Sequence, residues 1–393
     1  MSKAYCEGCL TRKETSIYLD YNASTPIDER VLEVMIHSYR EFYGNADSRT
    51  HNYGITARQA VENAREEVAA LLGVRKNEVI FTSGATESNN MAILGMAEYG
   101  IEANRRHIIT TAIEHKAVLD PLKHLETKGF EVEYVRPGES GRIDASDVLK
   151  RVRHDTLVVS VHHVNNETGI IQPIEEIGKG LADTDTYFHT DAVQSCGKLV
   201  DEVRALSYDF LSLTAHKMHG SQGVGALVIR RKKNKKPPIR PIIFGGGHEG
   251  GLRAGTLPVA LIDGFGKACE IASNEYKSNH EAYATNKALI MESLKSSGVE
   301  YAINGEQAHC MSNTINISFL GVDSEALMIA TNQYCSISNG SACTSRDYSH
   351  SHVLVAMGLS EDRLESAIRI SWGADALDIQ AFESLLSVVK SQQ

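Results

Sequence analysis

The sequence predicts an α/β protein with a mainly parallel sheet in a large domain, followed by a smaller α+β domain. Two observations favour this fold class. Short β-rich runs alternate with helix-length segments between residues 78 and 230, and such alternation is typical of a parallel sheet with helices on both faces. After about Gly264 long helical segments take over. We therefore expect residues 17–264 to form the large domain, and residues 1–16 and 265–393 to form the small one.

The large domain is expected to begin with a helix that feeds into the sheet. From Thr56 to Leu72 apolar residues recur with the period of a helix, which is predicted to end at Gly73. The β-rich run Glu78–Thr82 follows, and Ser83–Ser88 opens another helical segment. Further strands are expected in five β-rich runs: Arg106–Thr110, Leu157–Val164, Thr186–Thr190, Phe210–Thr214 and Val224–Arg230.

The small domain is expected to hold four helices, one strand and one long loop. Residues 335–352 form the loop, because the polar stretch 338–352 within it shows neither helical nor strand periodicity. The strand is predicted over Thr314–Phe319. The helices are predicted over Phe265–Ser278, His280–Ser297, Ser324–Thr331 and Ile379–Lys390.

Composition excludes several classes of function. The 393 residues are 42% hydrophobic and carry a formal net charge of −10, so no direct binding of nucleic acid or of an acidic membrane surface is expected. The basic run at 230–236 is interpreted as a solvated loop, with a docking patch for an acidic partner as the alternative.

The cysteines predict a reducing compartment. Seven cysteines at irregular spacing do not resemble a disulfide framework, and no signal-peptide pattern is found, so a cytoplasmic location is expected. Cys6 and Cys9 form a CxxC pair without a second pair at zinc-finger distance. An ordinary N-terminus is the first interpretation of this pair, and metal or redox use stays open. No metal site is predicted elsewhere.

Charged side chains follow two of the predicted strands. Asp191 comes after the run ending at Thr190, and Lys217 comes after the run ending at Thr214, so both are expected at the carboxyl edge of the sheet, where α/β proteins bind ligands. The turn Ser83–Thr86 offers free N–H groups at a helix N-terminus. A Schiff-base lysine, an anion and a phosphate cradle are what pyridoxal 5′-phosphate requires. Taken singly, each has a plain alternative: a surface lysine, a helix cap or an ordinary turn.

Eight motifs carry a resemblance to a known family. They occur in that family's order and span about Ile17 to Val389, so the chain resembles the cysteine desulfurases of the NifS/IscS type, which are class V aminotransferase-like enzymes. The resemblance implies the fold of the fold-type I enzymes, with a seven-stranded type of sheet. The motifs are YLDYNA at 18–23, FTSGATESNN at 81–90, EHKAV at 114–118, HVNNE at 163–167, DAVQS at 191–195, AHK at 215–217, GGGHE at 245–249 and RAGTLP at 253–258.

The resemblance implies a set of residues that bind the cofactor. Lys217 is expected to hold pyridoxal 5′-phosphate as a Schiff base, and Asp191 to pair with the protonated ring nitrogen, so that the ring becomes an electron sink. His115 is expected to stack on the ring and to exchange protons near the thiols. The remaining contacts are assigned by position: Asn166 and Gln194 at the ring hydroxyl, and Ala85, Thr86, Thr214 and His216 at the phosphate.

The resemblance also implies how the substrate L-cysteine is bound and that the enzyme is a homodimer. Arg369 is expected to bind the substrate carboxylate, with Asn45 and Asn166 assisting. An arginine salt-bridged within the small domain is the alternative. Residues 46–48 depart from the family pattern beside Asn45. Thr256 is expected to reach the phosphate bound by the neighbouring subunit.

Cys343 resembles the nucleophile that accepts sulfur from L-cysteine as a persulfide, in the group with a long loop. Its polar neighbours differ from those of a buried structural cysteine. The sulfur is expected to pass to an acceptor protein that serves an iron–sulfur scaffold, tRNA thiolation or DNA phosphorothioate modification. His350 and His352 are predicted to lower the pKa of the Cys343 thiol when protonated.

Two other functions remain as alternatives. The first is another pyridoxal phosphate reaction on the same scaffold, such as that of a selenocysteine lyase or an aminotransferase, and the loop bearing Cys343 speaks against it. The second is a noncatalytic sulfur-relay subunit, and the set of Lys217, Asp191 and His115 speaks against that.

Overall fold

The computed structural model describes residues 16–339 and 350–393. Over these residues the chain forms a mixed sheet of seven strands, an antiparallel sheet of three strands and a parallel pair of two short strands. Helices pack around the two larger sheets. Its strands are β1 Ile17–Tyr18, β2 Val79–Thr82, β3 His107–Thr111, β4 Glu131–Val135, β5 Thr156–Ser160, β6 Tyr187–Asp191, β7 Phe210–Thr214, β8 Gly225–Ile229, β9 Tyr301–Ile303, β10 Thr314–Phe319, β11 Cys335–Ser336 and β12 Ala367–Ser371.

The helices alternate with the strands of the large sheet and then cluster around the smaller one. They are α1 Glu29–Glu41, α2 Asn52–Leu72, α3 Ala85–Leu94, α4 Ala97–Glu102, α5 Lys116–Glu126, α6 Ala145–Leu149, α7 Ile174–Leu181, α8 Val200–Ala205, α9 Val259–Ser297, α10 Ser324–Thr331, α11 His352–Ala356, α12 Glu361–Glu365 and α13 Ile379–Gln392. Helix α2 ends as the sequence predicts, because Gly73 adopts a left-handed φ of 65° after its last turn.

The large sheet has seven strands in the order β2-β8-β7-β6-β5-β3-β4. Strand β8 runs antiparallel to both of its neighbours, and the other pairs are parallel. The predicted fold class, a mainly parallel seven-stranded sheet with a smaller α+β part, is confirmed. Because β5, β6 and β7 are parallel, their carboxyl ends meet at one edge of the sheet, and this edge positions the site described below.

Alternate residues of the sheet face two different helical layers. Phe81 and Ile109 pack in the cluster that includes helices α2 and α9, whereas Ile80 and Ile108 pack in the cluster that includes α3 and α5. Both faces of the inner strands are therefore buried, and β8 is apolar along its whole length.

Several parts of the chain differ from the predicted elements: the small sheet has three strands where only Thr314–Phe319 was predicted, and β11 lies inside the predicted loop 335–352. Strand β4 was not predicted, because it lies at the sheet edge and its residues are mostly half-exposed. The predicted strand Leu157–Val164 ends at Ser160, after which the chain turns into the site. The two predicted helices after residue 264 are one continuous helix, α9, which begins at Val259.

Helix α9 connects the two halves of the molecule. Its first half, through Ala272, packs in the same apolar cluster as the large sheet, and its second half, from Tyr283, packs against the small sheet β12-β10-β9. The predicted domain boundary at residue 264 lies inside this unbroken helix and stays a prediction. In the described ranges no helix is long and apolar enough to cross a membrane.

Candidate active site

The carboxyl ends of β6 and β7 bring a carboxylate and a lysine together. Asp191 is the last residue of β6, and Lys217 closes a short 3-10 turn that follows β7. The Asp191 carboxylate accepts hydrogen bonds from Asn89 Nδ2 at 2.7 Å and from the Val193 N–H at 3.0 Å. Lys217 Nζ donates hydrogen bonds to the Ala23 carbonyl, at 2.6 Å, and to the Asn22 carbonyl. Both side chains are thus held at the same sheet edge.

These side chains line a cavity of about 480 Å³. The cavity gathers residues that are far apart in the sequence, from the sheet edge, from helix α3 and from the strand β12 of the small sheet. Among the residues singled out from the sequence, those that line it are Ala85, Thr86, His115, Asn166, Asp191, Gln194, Thr214, His216, Lys217, His350, His352 and Arg369.

Two of the predicted site residues lie elsewhere. Asn45 is exposed, and its Oδ1 accepts a hydrogen bond from the N–H of Asp47 at 2.9 Å. Thr256 is also exposed and does not line this cavity. Cys343, Cys6 and Cys9 lie outside the described residues.

The turn before helix α3 forms one wall of the cavity. Gly84 precedes the helix with a φ of 151°, a conformation that residues with a side chain rarely adopt. A Cβ atom on Gly225 of strand β8 would lie only 2.8 Å from the Cα atom of Gly84. Glycine at both positions lets the turn sit directly against β8. The N–H groups of Ala85 and Thr86 belong to the first helical turn and have no intrahelical acceptor, so they suit an anion such as a phosphate.

Arg369 enters the cavity from β12. Its Nη2 lies 2.6 Å from Asp20 Oδ1, and its Nη1 donates to the Asn166 carbonyl at 3.0 Å. This salt bridge joins Arg369 to a residue of the predicted large domain, not to one of the small domain as the alternative interpretation expects. The Arg369 side chain is 3% exposed, and its Nε has no hydrogen-bond partner among the described residues. One buried donor remains available for a ligand.

Comparisons with known proteins show the family of this chain. The class V aminotransferase family matches residues 17–380. A curated cysteine desulfurase IscS from Anaeromyxobacter sp. (strain Fw109-5) is 46% identical over 359 residues, which cover 91% of this chain and 87% of that protein. This chain belongs to the cysteine desulfurases. As a member of the class V aminotransferase family, the desulfurase uses pyridoxal 5′-phosphate and releases sulfur from L-cysteine, leaving L-alanine.

Two solved structures are similar to the desulfurase over nearly its whole length. A NifS-like protein superposes with a TM-score of 0.87 at 38% identity and covers 96% of this chain and 98% of that one. DndA from Streptomyces lividans superposes with a TM-score of 0.79 at 44% identity, covering 91% of this chain and 99% of that one. The resemblance stated from the sequence motifs is therefore confirmed.

The residues in the cavity of the desulfurase fit its cofactor. Gln194 Oε1 and Asn89 Oδ1 are buried, and neither has a hydrogen-bond partner among the described residues. Orphaned buried oxygens are costly, so they indicate that a polar group satisfies them in the functional enzyme. Asn89 is not among the residues predicted from the sequence, although it lies about one helical turn after Thr86 and so on the same side of the helix.

Burial keeps two histidines of the cavity, His115 and His216, neutral. Burial lowers the pKa of His115, whose Nδ1 accepts a hydrogen bond from the Ala117 N–H at 3.0 Å and so caps helix α5. Burial, and then the positive charge of Lys217, lower the pKa of His216 to about 4. Near pH 7 both rings of the desulfurase are therefore uncharged, and each can accept or pass on a proton.

The segment that carries Cys343 is attached to the cavity at both of its ends. Before it, Ser338 pairs with Arg369 through two backbone hydrogen bonds, of 2.6 and 3.3 Å. After it, the Ser351 hydroxyl donates to Glu167, and His352 Nε2 lies 3.0 Å from the Glu114 carbonyl oxygen.

His350 at the end of the same segment contacts a carboxylate. Its Nε2 lies 2.9 Å from Glu361 Oε1. That His350 and His352 lower the pKa of the Cys343 thiol stays a prediction.

Proposed function

We propose that this cavity is the active site of the desulfurase, in which L-cysteine gives up its sulfur to Cys343. The observation that supports this most strongly is that Lys217 and Asp191, at the ends of neighbouring strands, line the same cavity as His115 and Arg369. An amine, an anion, a neutral imidazole and a guanidinium converge there on a space large enough for a cofactor and an amino acid.

The residues around the cavity have separate tasks in holding the cofactor. When bound, pyridoxal 5′-phosphate supplies an electron sink for the substrate's α-carbon. Asp191, itself held by Asn89, keeps the pyridine nitrogen protonated through its negative charge. Gln194 and Asn166 hydrogen-bond the ring hydroxyl. The phosphate is bound by the turn before α3 together with residues after β7: Ala85, Thr86, Thr214 and His216.

The side chains of the cavity then move protons. Lys217 would hold the cofactor, and its Nζ, as a free amine, would take the α-proton of L-cysteine, since a free amine is a competent general base. His115 lies in the same cavity and is neutral because burial lowers its pKa, so it can exchange a proton with the ligand.

The sulfur step uses Cys343 as the nucleophile. Its thiolate attacks the sulfur of L-cysteine, an S–S bond forms, and the C–S bond of the substrate breaks. The substrate carbon gains a proton and becomes the methyl group of L-alanine, so atoms and electrons balance. The persulfide sulfur then passes to an acceptor protein. The pathway that this acceptor serves, whether iron–sulfur cluster assembly on a scaffold, tRNA thiolation or DNA phosphorothioate modification, stays open.

Arg369→Lys is expected to raise the KM for L-cysteine about 10- to 100-fold, because a charge-assisted hydrogen bond to the substrate carboxylate contributes about 1.5–3 kcal/mol. The amine of lysine cannot reproduce the guanidinium fork. The measurement is the rate of L-alanine formation against L-cysteine concentration. Arg363→Lys is the matched control, because Arg363 hydrogen-bonds Asn304 in the small sheet and does not line the cavity. An unchanged KM in the Arg369 variant would contradict the proposal that Arg369 binds the substrate carboxylate.

A homodimer is supported by exposed apolar side chains on helix α1. Leu32, Ile36 and Tyr39 lie on one side of the helix at intervals of four and three residues, and Tyr39 is 61% exposed. Just beyond the helix, Tyr43 is 68% exposed, and its ring centroid lies 5.3 Å from that of Tyr53. Monomeric proteins rarely leave such a surface uncovered. We assign a second copy of this chain as its occupant.

The double variant Ile36→Glu/Tyr39→Glu is expected to elute as a monomer, because two carboxylates cannot be buried in an apolar interface. Light scattering during size-exclusion chromatography should give twice the 43.0 kDa chain mass for the wild type and the single mass for the variant. Ile329→Glu, at a side chain that is 73% exposed on α10, is the control. A wild type that elutes as a monomer contradicts the dimer and also the proposed role of Thr256 across the interface.

A further inference from the structure

A carboxylate lines the cavity beside the turn that is proposed to bind the phosphate. Glu87 lies in the first turn of α3, directly after Thr86, and its side chain is 10% exposed. Its Oε2 accepts a hydrogen bond from the N–H of Ser83 at 2.8 Å. The carboxylate therefore reaches back across the turn Ser83–Thr86. An anion at this position requires an explanation, because the same turn is expected to receive a phosphate.

An arginine from a distant part of the chain neutralises this carboxylate. Arg253 Nε lies 2.8 Å from Glu87 Oε1, and Arg253 Nη2 lies 3.4 Å from Glu87 Oε2. The arginine side chain is 17% exposed and does not line the cavity. Burial opposes the ionisation of Glu87, but the hydrogen bonds from Arg253 and from the Ser83 N–H outweigh it and lower the pKa of the carboxyl group. Near pH 7 Glu87 is therefore an anion, and Arg253 is its counter-ion.

The other basic side chains around the cavity are engaged elsewhere or uncharged. Lys217 Nζ donates hydrogen bonds to two backbone carbonyls. Arg369 forms a salt bridge of its own. Burial lowers the pKa of His216 to about 4, so its ring is neutral near pH 7. In the part of the chain that the structure describes, Arg253 is the cation that pairs with Glu87.

We propose that Arg253 is a positioning residue of the phosphate site, which compensates the charge of Glu87 so that the turn Ser83–Thr86 can accept the phosphate of the cofactor. The inference rests on the proposed function, since it requires the phosphate to bind at this turn. Without the guanidinium, two anions would meet within one turn of α3, where each disfavours the other. With it, the carboxylate holds the Ser83 N–H, and the next N–H groups of the helix stay available to the phosphate.

The test measures how tightly the full-length chain, freed of cofactor, binds pyridoxal 5′-phosphate and pyridoxal, which lacks the phosphate. The visible absorbance of the bound cofactor follows both titrations. In Arg253→Met we expect the dissociation constant of pyridoxal 5′-phosphate to rise about 10- to 100-fold, because the carboxylate of Glu87 is left without its counter-ion beside the phosphate. The dissociation constant of pyridoxal should stay nearly unchanged, since pyridoxal brings no anion to the turn.

A second substitution separates charge from packing. Glu87→Gln keeps an acceptor oxygen for the Ser83 N–H and removes the negative charge. The double variant Glu87→Gln/Arg253→Met should therefore recover most of the lost affinity for pyridoxal 5′-phosphate, and the absence of any recovery overturns the proposal. If Arg253→Met does not fold, Glu87→Gln alone decides, because it should bind pyridoxal 5′-phosphate at least as tightly as the wild type. Weaker binding by this single variant also overturns the proposal.

Arg65→Met is the matched control. Arg65 makes a two-point salt bridge with Glu249, four residues before Arg253, and the Glu249 carboxylate contacts the N–H of Phe81 rather than the turn. This variant should change the affinities for both ligands by the same factor, as a structural effect does. Equal factors in Arg253→Met as well would reject the role of Arg253.

The wild type distinguishes a failure of this inference from a failure of the proposed function. If it binds pyridoxal as tightly as pyridoxal 5′-phosphate, the turn before α3 is not a phosphate site, and that part of the proposed function is wrong. If it prefers the phosphorylated form and Arg253→Met keeps the same preference, the phosphate site stands and the role of Arg253 alone is rejected.

Discussion

Lys217→Ala is expected to reduce L-alanine formation from L-cysteine by at least about a thousandfold. Two functions are lost together, since the amine is proposed both to hold the cofactor covalently and to take the α-proton, and general base catalysis alone contributes about 10²- to 10⁴-fold. The yellow absorbance of the bound cofactor should be lost in the same variant. L-Alanine release and the visible spectrum of the purified protein measure the two effects separately.

The cavity also supplies a control lysine. Lys116 lines the cavity as the first residue of helix α5 and has no proposed role, so Lys116→Ala should keep the yellow absorbance and most of the activity. If the Lys217 variant keeps both properties, the assignment is wrong. If the two variants lose activity equally with the cofactor retained, the positive charge of the cavity matters rather than one covalent lysine.

Cys343→Ser is expected to reduce L-alanine formation by at least about a hundredfold, because a serine hydroxyl does not ionise near pH 7 and cannot accept sulfur as a persulfide. The variant should still bind the cofactor and still change its visible spectrum when L-cysteine is added. In the wild type, mass spectrometry should find one additional sulfur atom on the peptide that contains Cys343.

Cys310→Ser is the matched control for the nucleophile. Burial raises the pKa of the Cys310 thiol, so this cysteine is protonated and unreactive near pH 7. Its replacement should leave L-alanine formation nearly unchanged. An additional sulfur on a peptide other than that of Cys343, together with full activity of Cys343→Ser, would show that a different thiol receives the sulfur.

The strands at the centre of the sheet could be predicted because both of their faces are buried. Runs such as Gly225–Ile229 are therefore apolar throughout. Strand β4 could not be found in this way, because its glutamates face solvent at the sheet edge. Helix α9 was divided in two at polar residues near 278, although no glycine or proline interrupts it there. Of the small sheet only β10 was predicted from the sequence, because its residues are all buried.

The candidate site could be predicted where chemistry and strand ends coincide. Asp191 and Lys217 follow predicted strands, so their meeting at one sheet edge follows from parallel pairing alone. Arg369 required the resemblance, because nothing in its local sequence connects β12 with that edge.

The anchoring of the Cys343 segment sets a limit on where sulfur can be delivered. Ser338 is fixed to the backbone of Arg369, and Cys343 follows it by five residues. An extended chain spans at most about 3.6 Å per residue, so the Cys343 backbone cannot lie more than about 18 Å from Ser338. Every acceptor, whatever its pathway, must therefore bring its sulfur-accepting group within reach of a backbone position at most about that far from Ser338. Acceptors that compete for the desulfurase have to share this one small region of its surface.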